Sequence, residues 1–208
     1  MLRLCLFGSG SSANAMLLYS EHTRVLIDNG FSYKELCRRA RLAGVTLEGL
    51  DAVFVTHEHA DHVNGLGVLA RKQDTPVYMT RDTFANLPDK VGVLPRLVFF
   101  EAGERLDVGD IGVSSFSVTH DAADPVSYTV TSATGTKIGL ATDLGCSSHL
   151  VRARLAACHA LVLEANYCPE LLLRSPYPPR VRQRIQSRIG HLSNQDMSSL
   201  LHHLLHDQ

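Results

Sequence analysis

The sequence predicts a layered α/β domain in which two sheets are covered by helices. Three observations point there. Strand-like runs alternate with helix-like segments along the chain, and most helices fall between strands. The 208 residues are 45% hydrophobic and 20% charged, enough apolar material for one core. No internal repeat, low-complexity tract or linker divides the chain, so residues 1–208 read as a single domain.

The elements follow in order. Leu2, Leu4 and Leu6 alternate with other residues and predict a first strand, followed by a turn-rich loop from Gly8 to Asn14. Residues 15–19 and 24–27 predict a hairpin. Ser32 and Glu35 have the spacing of a capping box that opens a helix, and Gly44 can close it. Residues 51–56 predict a short buried strand, 63–71 a helix, 76–79 a strand and 113–119 an alternating strand. Further strands are predicted over 126–131, 137–141 and 160–163.

Composition excludes several classes. The net charge of -1 leaves no global basic field, so attraction to nucleic acid requires a local patch. Five scattered cysteines without a C-x-x-C pair read as reduced thiols rather than a disulfide framework or zinc ribbon. The opening MLRLCLFGSGSS is too short in apolar residues for a secretory signal, and no later run approaches membrane-spanning length. A cytoplasmic location with no membrane contact is the expectation.

The densest chemical signal is VFVTHEHADHVNGLGVL, where an apolar strand runs into His57-Glu58-His59-Ala60-Asp61-His62. On an extended segment residues i and i+2 point the same way, so His57 and His59 can reach one ion while Glu58 points oppositely. Asp61 and His62, at the start of the next helix, are aimed differently, which suits a second ion roughly 3.5–4 Å from the first. A polar turn with surface histidines is the bland alternative. H-x-H-x-D-H arises by chance in about one of several hundred chains of this composition, which favours the metal reading.

At these residues the sequence resembles the metallo-β-lactamase superfamily, and within it the WalJ (YycJ-like) branch of bacterial hydrolases. GSGSSANAMLL, VLIDNG and THEHADHVNGLGVLAR resemble that branch's first motifs, and THDAADPVSY, GLATDLG, LEANYCPELL and GHLSNQD follow in family order. The resemblance implies an αββα sandwich of two mixed sheets flanked by helices. It also implies metal-dependent hydrolysis, with 5′–3′ exonuclease action on DNA.

The downstream motifs supply more donors. His120 ends an alternating strand and can give the ion of His57 and His59 a third nitrogen; alone it would read as a surface residue, and the motif context makes it a ligand. Asp143, after an apolar run, reads either as a helix cap or, as the resemblance implies, as a carboxylate bridging two ions. Asp28 in LIDNG is implied to shape the site floor rather than to ligate. The expected metal set is therefore His57, His59, Asp61, His62, His120 and Asp143, holding two divalent ions. Zn²⁺ suits these donors, and Mn²⁺ or Fe²⁺ fit them too.

The family continues into a further strand carrying a final metal-binding histidine in a segment like H-L-S-x-x-N. The expectation is that the chain, ending in LLHHLLHDQ, lacks that strand and is incomplete relative to the family. The second ion would then lose its last imidazole, so that either the chain is a truncated version of a longer protein or its activity is impaired. His202 and His206 have i, i+4 spacing but read as a solvated helix face.

Residues 171–195 contain five arginines and no acid. Val181, Ile185 and Ile189 lie four apart, with Arg180, Arg184 and Arg188 as a parallel basic row. Leading into Gly190-His191, this row predicts contact with a DNA phosphate backbone through Arg184 and Arg188. Tyr177 can stack on a base or pack. The expected mechanism has the two ions sharing a hydroxide, Asp61 orienting it and His191 protonating the leaving oxygen. A small-molecule thioester or cyclic-phosphodiester hydrolase, and a catalytically impaired binding protein, are the alternatives.

Overall fold

The computed structural model describes residues 1–205 and holds two mixed sheets packed face to face. The first contains β1 (Arg3–Gly8), β2 (Ala15–Tyr19), β3 (Arg24–Ile27), β4 (Ala52–Phe54), β5 (Val77–Met79) and β6 (Leu97–Phe99), side by side in chain order. Its first two pairings are antiparallel and the rest parallel. The second runs β7 (Arg105–Val108), β8 (Ile111–Ser117), β9 (Val126–Ser132), β10 (Lys137–Ala141) and β11 (Ala160–Leu163), antiparallel until β11 joins β10 in parallel.

Period-2 alternation sorts the apolar residues into layers. Leu17, Leu26 and Val53 face outward, where α1 (Tyr33–Leu42) and α3 (Leu66–Gln73) cover them with Leu36, Leu66 and Leu69. Their neighbours Met16, Leu18, Val25, Ile27 and Phe54 face inward against Val113, Tyr128, Val130 and Leu140 of the second sheet. The outer side of that sheet is covered by α5 (His149–Leu155) and α8 (Asn194–Leu204) through Val151, Leu155 and Leu200. The order is helix, sheet, sheet, helix, as the resemblance implied.

The hairpin 15–19/24–27 and the strands 137–141 and 160–163 fall where the sequence placed them. Ser32 does cap α1, accepting from the Glu35 N–H, and Gly44 follows in a left-handed conformation. Only half of the capping box forms, because the Glu35 carboxylate turns instead to Arg38 and Arg39.

Two expectations need correction. The helix expected over 63–71 is two helices, α2 (Ala60–Val63) and α3, broken at Asn64-Gly65. A Cβ at Gly65 would lie 1.7 Å from the Phe31 carbonyl oxygen, so the backbone itself docks there and the helix is interrupted. The basic row is also broken. Helix α7 spans Pro179–Ile185, so Arg188 and Ile189 lie beyond it. Gly190 folds back on the last carbonyls of α7, where a Cβ would lie 2.2 Å from Arg184 O, and the His191 N–H donates to Ile185 O. His202 is exposed on α8, and His206 lies outside the described residues.

Candidate metal centre

The site is assembled from strand ends. Beyond β4, Val55 and Thr56 deliver His57, and His59 occupies the N-cap of α2, which presents Asp61 and His62. From the second sheet come His120, after β8, and Asp143, after β10. Asp28 and Asp143 both leave their strands in the left-handed region, φ 58° and 53°. Such a conformation costs a non-glycine residue about 1 kcal/mol or more and aims the side chain off the strand line.

Donor atoms of His57, His59 and His120 lie within 4.8 Å of one another, as do those of His57, His62 and Asp143, and those of Asp143, Glu164 and His191. The imidazoles are held by their rear nitrogens. His62 Nδ1 is 2.8 Å from Asp28 Oδ2, His120 Nδ1 is 3.0 Å from the Gly190 carbonyl, and His57 Nδ1 is 3.0 Å from Thr56 Oγ1. Carboxylate, carbonyl and hydroxyl partners of this kind fix ring orientation and tautomer around a metal. The opposite nitrogens point inward: His120 Nε2 is 3.3 Å from His59 Nδ1, and His62 Nε2 is 3.1 Å from Asp143 Oδ2.

Electrostatics divide the cluster in two. Burial pushes the His57 imidazolium well below its ordinary range and also lowers His120, so both rings are neutral. Burial pulls His62 down as well, but the surrounding Asp28, Asp143 and Asp61 carboxylates overcome it and hold the ring well above its usual value. Burial would likewise raise Asp143, and His62 beside it outweighs that and keeps it ionised.

Asn14, in the glycine-serine loop, places Nδ2 3.1 Å from Asp61 Oδ2 and 3.0 Å from His62 Nε2, and its N–H donates to Asp61 O. Glu58 faces away, as its position predicted, accepting from the Ala123 N–H. His191 enters the cluster, its ring centroid 5.2 Å from that of His120 and its Nδ1 2.6 Å from Glu164 Oε1. An imidazole therefore stands beside Asp143 where the sequence reading expected a vacancy. The segment carrying it, His191-Leu192-Ser193-Asn194, itself begins with H-L-S.

Glu164 is the residue the sequence reading missed. Its Oε2 accepts from the N–H groups of Leu144 and Leu192, so one carboxylate ties the residue after Asp143 to the residue after His191. A usable signal was present: like Asp28 and Asp143, it is an acid just past the end of an apolar strand.

The cluster lies at the head of a cleft of about 760 Å³, also lined by Ser9, Tyr177 and Arg184. Arg184 Nε is 2.5 Å from Asp121 Oδ2, and Asp121 adjoins His120. Arg184 thus reaches the metal cleft, whereas Arg188 lines a neighbouring cavity. The residues fit a divalent ion: His57 Nε2 is buried without a hydrogen-bond partner, and a nitrogen lone pair converging with other imidazoles is what such an ion takes up.

Two mixed sheets between helix layers, with histidines and aspartates gathered at the strand ends, define the metallo-β-lactamase type of fold. Its likeness to the metallo-β-lactamase fold protein YhfI from Bacillus subtilis has a TM-score of 0.73 at 17% identity, over 98% of this chain and 82% of that one. The chain belongs to the beta-lactamase superfamily, whose domain model matches residues 23–206. It is 34% identical to exodeoxyribonuclease YycJ of Bacillus anthracis, aligned over all of this chain and 79% of that protein. It is also 35% identical to exodeoxyribonuclease WalJ of Streptococcus pneumoniae, over 92% of this chain and 72% of that protein.

Proposed function

We propose that this chain is a metal-dependent phosphodiesterase that shortens DNA from its ends. The observation that carries the reading is the convergence of imidazoles, those of His57, His62 and His120 held at Nδ1 from behind and the His57 Nε2 without a partner, beside a cleft that Arg184 borders. The names of the 34–35% identical relatives support nucleic acid as the substrate.

His57, His59 and His120 would hold one divalent ion, and Asp61, His62, Asp143 and His191 a second, with Zn²⁺ the best match to the donors. Ions there supply Lewis acidity, acidifying water and offsetting charge on phosphoryl oxygens. Asp61, held by Asn14, orients the attacking water. Arg184, exchanging Asp121 for a phosphate oxygen, binds the substrate backbone. Asp28 and Glu164 keep His62 and His191 in register. An imidazole committed to an ion cannot also deliver a proton, so His191 is assigned to the second ion and not to the leaving group. The free thiols and the absence of any helix long and apolar enough to cross a membrane, among the described residues, fit a cytoplasmic enzyme.

Elemental analysis and digestion of end-labelled DNA test this together. The wild type should carry about two equivalents of transition metal and shorten the DNA. His191→Ala should retain about one, and Asp61→Ala should abolish turnover on both DNA and a small phosphodiester. A protein that takes up two ions yet cleaves a thioester or cyclic nucleotide and leaves DNA intact would refute the nuclease reading.

A further inference from the structure

Behind the metal cleft lies a second cavity of about 520 Å³. The two hollows share a partition. The segment bearing Asp143 continues as Gly145-Cys146 into the cavity wall, and the segment bearing His191 is flanked in that wall by Arg188 and Leu192. These segments touch backbone to backbone, since a Cβ at Gly145 would lie 2.1 Å from Arg188 O.

The lining is cationic. Arg152, from α5, and Arg188, beyond α7, both line the cavity, and among the described residues neither is paired with a carboxylate. Arg152 Nε is buried with no acceptor, and its Nη2 makes a long contact of 3.5 Å to Ser147 Oγ. The carboxylate in the wall, Asp196, is turned to Ser193, whose Oγ donates to it at 2.6 Å. Two arginines against one aspartate leave a surplus positive charge, with the Ser147 hydroxyl and His149 beside it. A buried guanidinium N–H without an acceptor is a standing cost, removed when an oxyanion enters; the planar fork of arginine matches the oxygens of a phosphate.

We propose that this cavity binds a phosphoryl group, on the far side of the Asp143–His191 partition from the metal cluster. The group is either one phosphate of a polynucleotide whose scissile bond lies in the cleft or free inorganic phosphate. The polynucleotide source rests on the nuclease reading; the anion site itself does not.

The test reads binding without hydrolysis. In ¹H–¹⁵N spectra of the whole chain, the Arg152 Nε–H resonance is assigned by its loss in Arg152→Lys. Inorganic phosphate should shift it saturably, chloride at equal ionic strength should not, and Arg188→Ala should weaken the apparent affinity about tenfold. A 5′-phosphorylated single-stranded oligonucleotide that shifts the same resonance at lower concentration identifies the backbone as the source. A shift with inorganic phosphate and none with the oligonucleotide identifies free phosphate. If neither moves the resonance, if chloride moves it equally, or if Arg188→Ala changes nothing, the site is overturned. Because no cleavage is measured, a failed nuclease assay leaves this result standing.

Discussion

At the scale of single residues, His62 is where protonation and metal uptake meet. Three carboxylates hold its proton well above the ordinary imidazole range, while His57 and His120, lowered by burial, stay neutral. A cation must displace the His62 proton, so affinity at that position should rise with pH up to the raised value and then level. His57 and His120 carry no proton to lose over the same range, so affinity at their position should rise less steeply with pH than at the His62 position. In metal-free protein the sign reverses: the contribution of His62 to stability is complete below the unfolded value near 6.5 and is lost as pH rises through the folded one. Stepwise Zn²⁺ titration against a chromophoric chelator at several pH values measures both slopes. Equal slopes at the two positions would refute the division.

The donor cluster at residues 57–62 was legible because a strand end repeats its aim every second residue and packs several donors into one short window. His191 was expected to act on the leaving oxygen, and nothing local in the sequence indicates that residue 191 returns to the side of residues 143 and 120. That placement is made by Glu164, whose bonds to two distant N–H groups leave no trace in the spacing of residues.

Among the elements, the end of α7 decides what the arginines do. Helical spacing alone extends the apolar and basic rows from 180 to 189, and it cannot register that Gly190 lies against the last turn. With the fold-back, Arg184 and Arg188 serve different hollows. Gly190→Ala should therefore cost about 1–3 kcal/mol, as overpacking against backbone does. It should also weaken the first ion, because the Gly190 carbonyl is the rear partner of His120. Denaturant melts with and without Zn²⁺ check this: the variant should lose more stability in the presence of metal than in its absence. Strands β6 and β7 escaped the sequence reading for another reason. They are three and four residues long, at sheet margins, and only partly buried, so no alternation stands out. The long central strands β8 to β10 are largely buried; β9 and β10 were legible to within a residue, and β8 lies two residues earlier than expected.

The whole molecule depends on how its two sheets are joined beneath the site. The Tyr128 hydroxyl of β9 donates across the interior to the Val55 carbonyl, and the Val126 N–H donates to Thr56 O one residue before His57. Tyr128 is fully buried, so Tyr128→Phe leaves Val55 O without that donor and should cost about 1–3 kcal/mol. Thermal unfolding should fall by about 2–4 °C for each kcal/mol lost. An unchanged midpoint would show that the bond contributes nothing. Pattern reading predicted that two sheets would pack, but an alternating strand does not reveal which carbonyl a tyrosine will meet.

The division of donors between the sheets also falls along the chain. His57, His59, Asp61 and His62 precede the exposed turn at residues 101–104, and His120, Asp143 and His191 follow it. An ion at either proposed position would therefore be held by donors from both stretches and would act as a clasp between them. If the chain were severed at Gly103 and the pieces supplied separately, each would carry one sheet and an incomplete set of ligands. Their reunion should be switched by the metal: tight when Zn²⁺ is present, reversed by a chelator, and readable as the recovery of one cooperative melting transition from two non-cooperative fragments.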